Sequence, residues 1–330
     1  MDEQNWQPTC ARPGGLVPPA RLDPDGLVGP TRGAARGRRW QRVGPGLYLP
    51  GHVDLEVVEQ RILAQSARIP DDGGVTAWAA LRWRGAAYFD GTDSLRRRAP
   101  VPLIIAGRGS RSQDSETRYS WEQFPPWERE VVAGVPCAVV ARALYDETRW
   151  SSSDRRATVA VDMTVAASLI TVDEFVAYVV SRPAWTGVYR ARFAADHASA
   201  RSRSPRESLM RLVWVLDAAL PTPLVNEPVF SLDGSLLGYP DLFDPVAGLV
   251  GEYDGADHLR DDRRSRDRTR EERFRDHGLE YVAVVRGEMG NRALLVRRLR
   301  AAYSRASFLP ADQRRWTLEQ PPWFRDRLVG

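Results

Sequence analysis

The chain contains no lysine: all 47 of its basic residues are arginine. A lysine general base or Schiff base is therefore excluded everywhere in it. Cysteine occurs only as Cys10 and Cys137, too few and too far apart for a disulfide framework or a zinc knuckle. No apolar run approaches the ~20 residues of a membrane-spanning helix. The first residues, Met1-Asp-Glu-Gln-Asn-Trp, lack the basic region and apolar segment of a secretory leader. A cytoplasmic protein with no membrane association is the expectation. His52 and His197 stand alone and read as surface or packing residues.

What is present starts with the arginines. A guanidinium matches phosphate oxygens through paired hydrogen bonds, so the bias is compatible with a nucleic-acid partner, although coding bias in a GC-rich genome accounts for most of it. A chain of 330 residues exceeds one typical core and suggests more than one domain. Residues 1–30, rich in proline, glycine and charge, read as a loose arm. Residues 31–200 read as a mainly helical α+β scaffold. It opens with a basic, aromatic stretch over Gly33–Pro50, hairpin-like around Gly44-Pro45-Gly46, which could touch a phosphate backbone as a basic wing or pack as a ribbon on the next helix. The pattern then predicts helices over 54–68, 77–84, 141–149, 154–169, 171 onward and 188–200. Strands are expected over 100–106 and 131–140, with a long loop over 107–128 and no convergent chemistry.

After the linker Ser199-Ala-Arg-Ser-Arg-Ser, Ser204-Pro205-Arg206-Glu207 opens a helix with proline at its first position and a capping-box glutamate. That helix runs to about Leu220. A strand over 225–230 and a hairpin at Asp233-Gly234 lead to the most informative stretch, Gly238 to His258. It reads as two strands joined at Asp244-Pro245, the first ending on Asp241 and the second, Leu249 to Asp254, turning abruptly acidic. Alternation puts Glu252 and Asp254 on one face and Tyr253 on the other. Antiparallel pairing would let Asp241 reach the acidic face. Three converging carboxylates repel one another unless a cation or proton neutralises them, and hard oxygen ligands suit Mg²⁺ or Mn²⁺. A charged helix over 259–277, a strand over 280–286 and a helix over 292–306 complete the order α-β-β-β-α-β-α. Residues 307–330 read as a tail.

Glu207, then Asp241, then Glu252-Tyr-Asp254-Gly-Ala-Asp-His258, then Asp267-Arg-Thr-Arg270 and Phe274…Gly278-Leu279 resemble the very-short-patch-repair type of the PD-(D/E)XK endonuclease superfamily. The resemblance covers about 201–306 and implies a restriction-endonuclease-like core with a mixed central sheet. Residues 31–200 are more diffusely similar to AbiEi-family antitoxin-like proteins, whose degenerate winged-helix segment would match Gly33–Pro50; this resemblance implies a DNA-binding role or a protein partner for that half.

From the nuclease resemblance, Asp241 would be the central metal-binding aspartate. Glu252 would be its partner, and the Tyr253 carbonyl a further ligand. Asp254 stands where the superfamily carries lysine. His258 would be the general acid or base. Arg270 would be the best substitute for the missing lysine charge, and Glu207, though sufficient as a helix cap, would match the family's helix glutamate. The implied activity is Mg²⁺- or Mn²⁺-dependent DNA cleavage in repair, restriction or mobile-element defence, with no small-molecule cofactor. The alternative is a nuclease fold without turnover, kept as a DNA-binding or regulatory protein.

Overall fold

The computed structural model describes residues 15–93, 95–107, 114–254, 270–285 and 287–325. It is a mixed α/β protein whose contacts divide it into two compact units, Met1–Asp196 and His197–Gly330. Among the described residues no helix is long and apolar enough to cross a membrane.

In the first unit, strands β1 (Trp40–Gly44) and β2 (Leu47–Pro50) form an antiparallel ribbon. Val43, Leu47 and Leu49 bury against Ala64 of helix α1 (Val58–Ser66), and Gln65 donates to the Val43 carbonyl at 2.9 Å. The ribbon is thus packed on the next helix. That helix starts later than expected and buries a polar set, Glu59, Gln60, Arg61 and Gln65, beside Ile62 and Ala64. Glu59 pairs with Arg82 at 2.5 Å. The buried charge is paired, which is why an apolar-stripe reading of the helix misjudges it.

Strands β3 (Gly74–Val75), β4 (Val101–Ile104), β5 (Thr117–Ser120), β6 (Arg129–Val132) and β7 (Val135–Ala138) build a mixed sheet in the order β5-β4-β3-β7-β6. The expected loop over 107–128 therefore contains β5, parallel to β4, and a short 3-10 turn at Pro126–Glu128. The expected strand over 131–140 is instead the β6–β7 hairpin followed by a helix. Helices α2 (Ala77–Trp83), α3 (Val140–Trp150), α4 (Asp154–Ala166), α5 (Val172–Val180) and α6 (Val188–Asp196) follow in the chain around these strands. The Thr171–Glu174 capping box of α5 forms as its sequence predicts.

Thr76 precedes α2 but does not cap it with its side chain. Its hydroxyl donates to Asp146 at 2.7 Å, and the Trp78 N–H is taken by Glu147 at 3.0 Å. Burial pushes Glu147 up to about 7, against the opposing pull of the Trp78 N–H and Arg118. Its folded-state value lies above its ordinary 4.5, so its contribution to stability is full below that value and is lost as pH rises through 7. Glu147→Gln keeps an acceptor for Trp78 without the charge. It should melt above the wild type at pH 8, with the gap closing towards pH 4.5. A gap that does not change with pH in calorimetric melts would refute this.

In the second unit, helix α7 (Pro205–Leu212) continues into a π-helical turn, Val213–Asp217. The expected single strand over 225–230 is two: β8 (Leu224–Val225) and β9 (Val229–Ser231), which belong to different sheets. The hairpin of β9 and β10 (Leu236–Gly238) pairs with β14 (Trp316–Thr317). The segment read as a tail thus supplies a strand, and its Phe324 ring stacks edge-on against Phe230. The other sheet has the order β13-β12-β11-β8, from β11 (Leu242–Asp244), β12 (Leu249–Asp254) and β13 (Glu280–Val285). Strand β12 runs antiparallel to β11 and parallel to β13. One apolar cluster joins Leu242, Leu249, Val282 and Val284 to Met210, Trp214 and, from the closing helix Arg292–Arg305, Leu295 and Leu299. A second joins Phe243, Val250 and Tyr281 to Phe274, Leu237 and Trp316.

Candidate functional site

The acidic residues collect where these strands end. Asp241 does not close a strand, as its sequence suggests, but immediately precedes β11. Register pairs Leu242 with Gly251 and with Val225. One step outward, Asn226, Asp241 and Glu252 follow side by side across β8, β11 and β12, with Ala283 of β13 beyond Glu252. The Asn226 N–H donates to the Asp241 carbonyl at 3.3 Å, and the Tyr253 N–H donates to Asp241 Oδ2 at 2.7 Å. Alternation along β12 sends Tyr253 to the α7 side, where it packs on the apolar cluster, and Glu252 to the opposite face.

On that face Arg270, at the start of the described helix over 270–276, brings Nη2 to 2.9 Å from Glu252 Oε1. The pair is mostly shielded, with side chains 24% and 11% exposed. Arg270 also donates to the Tyr239 carbonyl, while its Nε is buried without an acceptor among the described residues. Gly238 makes room for this arrangement: a Cβ there would stand 3.2 Å from Arg270 Nε and 3.1 Å from the Phe274 ring.

Glu207 arrives from α7. A Cβ at Gly251 would stand 2.9 Å from Met210 Cε and 3.1 Å from the Trp214 ring, so glycine there lets α7 lie directly on β12. The capping box expected at Ser204 forms only in part. Ser204 accepts the Glu207 N–H at 3.2 Å, but the Glu207 carboxylate reaches the Arg203 N–H at 2.9 Å and Asn226 Nδ2 at 2.7 Å, both on Oε2.

The electrostatic result centres on Asp241. Burial raises its carboxyl well above the usual range, and the negative charges of Glu207 and Glu252 raise it further. The Tyr253 N–H and Arg270 oppose this without overcoming it. Tyr281, on the same face as Glu252, is likewise pushed up by burial and then by the Glu252 charge, so it remains a neutral phenol beside the acids. Asp254 ends β12 opposite Val285. His258 and Asp267 lie outside the described residues.

Among the described residues no group of three or more His, Cys, Asp or Glu side chains stands ready to hold a metal ion. The donor chemistry nevertheless fits a hard divalent cation. Burial raises Asp241, the charges of Glu207 and Glu252 raise it further, and the Tyr253 N–H and Arg270 offset this only in part. A cation between Asp241 and Glu252 would remove that repulsion. Sequence reasoning missed Asn226, Tyr281 and the enabling glycines 238 and 251. Asparagine's tolerance of positive φ was the one signal for Asn226, which sits at φ 49°.

The first unit also holds convergent charge that its sequence did not reveal. Arg142, Arg149 and Arg182 meet Glu122, Glu128 and Asp146 in one network. Its charges cancel, so it is a structural feature and not a second binding site.

No family model, curated protein or solved structure matches this chain.

Proposed function

We propose that residues 197–330 form a metal-dependent DNA endonuclease of the PD-(D/E)XK kind, nearest in pattern to its very-short-patch-repair branch. The observation that carries this reading is the place of Asp241 and Glu252, one residue beyond the Leu242–Gly251 pair at the end of a mixed sheet, with the Tyr253 N–H on Asp241 Oδ2 at 2.7 Å and a field that holds the Asp241 carboxyl well above its usual range. The succession of α7, β8, β11, β12, a helix, β13 and the closing helix supports a restriction-endonuclease-like core, with the β9–β10 hairpin as an insertion. The resemblance of residues 31–200 to antitoxin-like proteins supports a DNA or protein partner for that unit.

In this reading Asp241 and Glu252 would hold a Mg²⁺ or Mn²⁺ ion, with the Tyr253 carbonyl as a further ligand, and the ion would supply polarisation of the scissile phosphate and a lowered pKa for attacking water. The Tyr253 N–H fixes the orientation of Asp241 by occupying Oδ2. Arg270, paired with Glu252 at 2.9 Å, provides the positive charge that lysine provides elsewhere in the superfamily. His258 enters as general acid or base, and Asp254 as an accessory acid, on their sequence positions alone.

The competing reading, a nuclease fold without turnover that serves binding or regulation, draws on the same Arg270–Glu252 pair, which neutralises one acid without any metal. Plasmid nicking with Mg²⁺ and Mn²⁺ separates the two. Wild-type cleavage that disappears in both Asp241→Ala and Glu252→Ala supports the enzyme. Cleavage that survives both substitutions, or no cleavage of duplex, mismatched or single-stranded DNA by the wild type, refutes it.

A further inference from the structure

We propose that Asn226 is a positioning residue that locks Glu207 beside Asp241 and thereby adds charge to the cation site. This rests on the metal-dependent reading above.

Asn226 is 4% exposed and ties three separate segments together. Its Nδ2 donates to Glu207 Oε2 at 2.7 Å and to the Arg201 carbonyl at 2.9 Å. Its own carbonyl accepts from Arg201 Nη2 at 2.6 Å, and its N–H holds the Asp241 carbonyl at 3.3 Å. One residue therefore fixes both the carboxylate of Glu207 and the backbone of Asp241. An ordinary capping glutamate turns back to its own N-cap N–H. Glu207 does not: Oε2 is held by Arg203 and Asn226, and the Asn226 N–H holds the Asp241 carbonyl at 3.3 Å, so the carboxylate is anchored to the residue that also sets Asp241. Holding two like charges together in a buried place is unfavourable. A cap alone would not require it, and a cation site gains from it. Outer partners of this sort commonly change metal affinity or activity by about tenfold to a hundredfold.

The test uses full-length protein, Mn²⁺ titration followed by electron paramagnetic resonance, and single-turnover cleavage. At φ 49° glycine adopts the backbone of position 226 without strain, so Asn226→Gly deletes the amide and spares the fold. Asn226→Asp keeps the shape but places an acceptor where Glu207 needs a donor. Both should weaken Mn²⁺ binding about tenfold or more, and Glu207→Gln should do the same. The double variant N226G/E207Q should lose no more than E207Q alone, because Asn226 acts through Glu207. Additive losses, or an N226G protein that melts lower but binds Mn²⁺ as the wild type does, would make Asn226 merely structural. Wild-type protein that binds no Mn²⁺ would remove the metal centre itself, and this inference with it.

Discussion

Under the nuclease function proposed above, Asp241→Asn should lose nearly all cleavage and yet fold more stably than the wild type. The amide preserves the acceptor that the Tyr253 N–H uses, so backbone order at the strand end is kept. What disappears is a carboxylate that burial, Glu207 and Glu252 together disfavour as an anion. An acid whose folded-state pKa is raised contributes stability below its ordinary value and loses it as pH rises through the raised one. In metal-free buffer the asparagine variant should thus match the wild type near pH 4 and exceed it at pH 8. A gain of about 1 kcal/mol would raise the melting temperature by roughly 2–8 °C in a domain of this size. Cleavage should fall on the order of a hundredfold to a thousandfold, the scale seen when one preorganised electrostatic contact is removed from an active site. Activity lost together with a lower melting point would mean that Asp241 is a structural acid. Activity retained would remove it from the chemistry altogether.

Arg142→Met should destabilise the first unit by about 3–5 kcal/mol, the usual consequence of removing one member of a buried ion network. The Arg142 side chain is fully buried. Its Nε lies 3.0 Å from Asp146 Oδ2, and its Nη1 lies 2.7 Å from Glu128 Oε2 and 3.0 Å from the Gln123 carbonyl. Its guanidinium centre stands 4.5 Å above the Trp185 ring. Burial alone would raise Glu128, but the Tyr178 hydroxyl and the arginines Arg142 and Arg182 hold it below its ordinary value. Methionine fills similar volume while leaving Glu128 and Asp146 short of their countercharge, so the penalty comes from stranded acids and not from a cavity. Arg149 still reaches Asp146 at 2.7 Å, which bounds the loss. Urea denaturation followed by far-ultraviolet circular dichroism reads the effect directly, and a loss under about 1 kcal/mol would show that the network is not needed for stability.

The two sites differ in how far their residues announced them. On α3, Arg142, Asp146 and Arg149 share one face at spacings of four and three, a pattern that in sequence reads as a solvated, salt-bridged helix. The acids that bury it, Glu122 and Glu128, come from a stretch that reads as loop, and Arg182 comes from just beyond α5. Solvated and buried charge look alike in one dimension. The acidic strand was easier to recognise, because Leu249-Val-Gly-Glu252-Tyr-Asp254 turns from apolar to charged within one strand and few structural needs account for that. Glu207 was legible as a cap, and its second connection, to Asn226, was not.

Residue order alone settled the absence of any lysine chemistry, most of the helices, the strand that carries Glu252, and the candidacy of Asp241. These follow from composition and from periodicities that act over a few residues. Tertiary structure decided the rest. It split the strand expected over 225–230 between two sheets, drew Trp316 and Phe324 into the second unit, and set Asn226, Asp241 and Glu252 in one row. It also turned Arg270 onto Glu252. The physical reason is that a strand's neighbours and a buried charge's partners lie tens of residues away along the chain, and only the closing of the core against Gly238 and Gly251 brings them within a hydrogen bond's length.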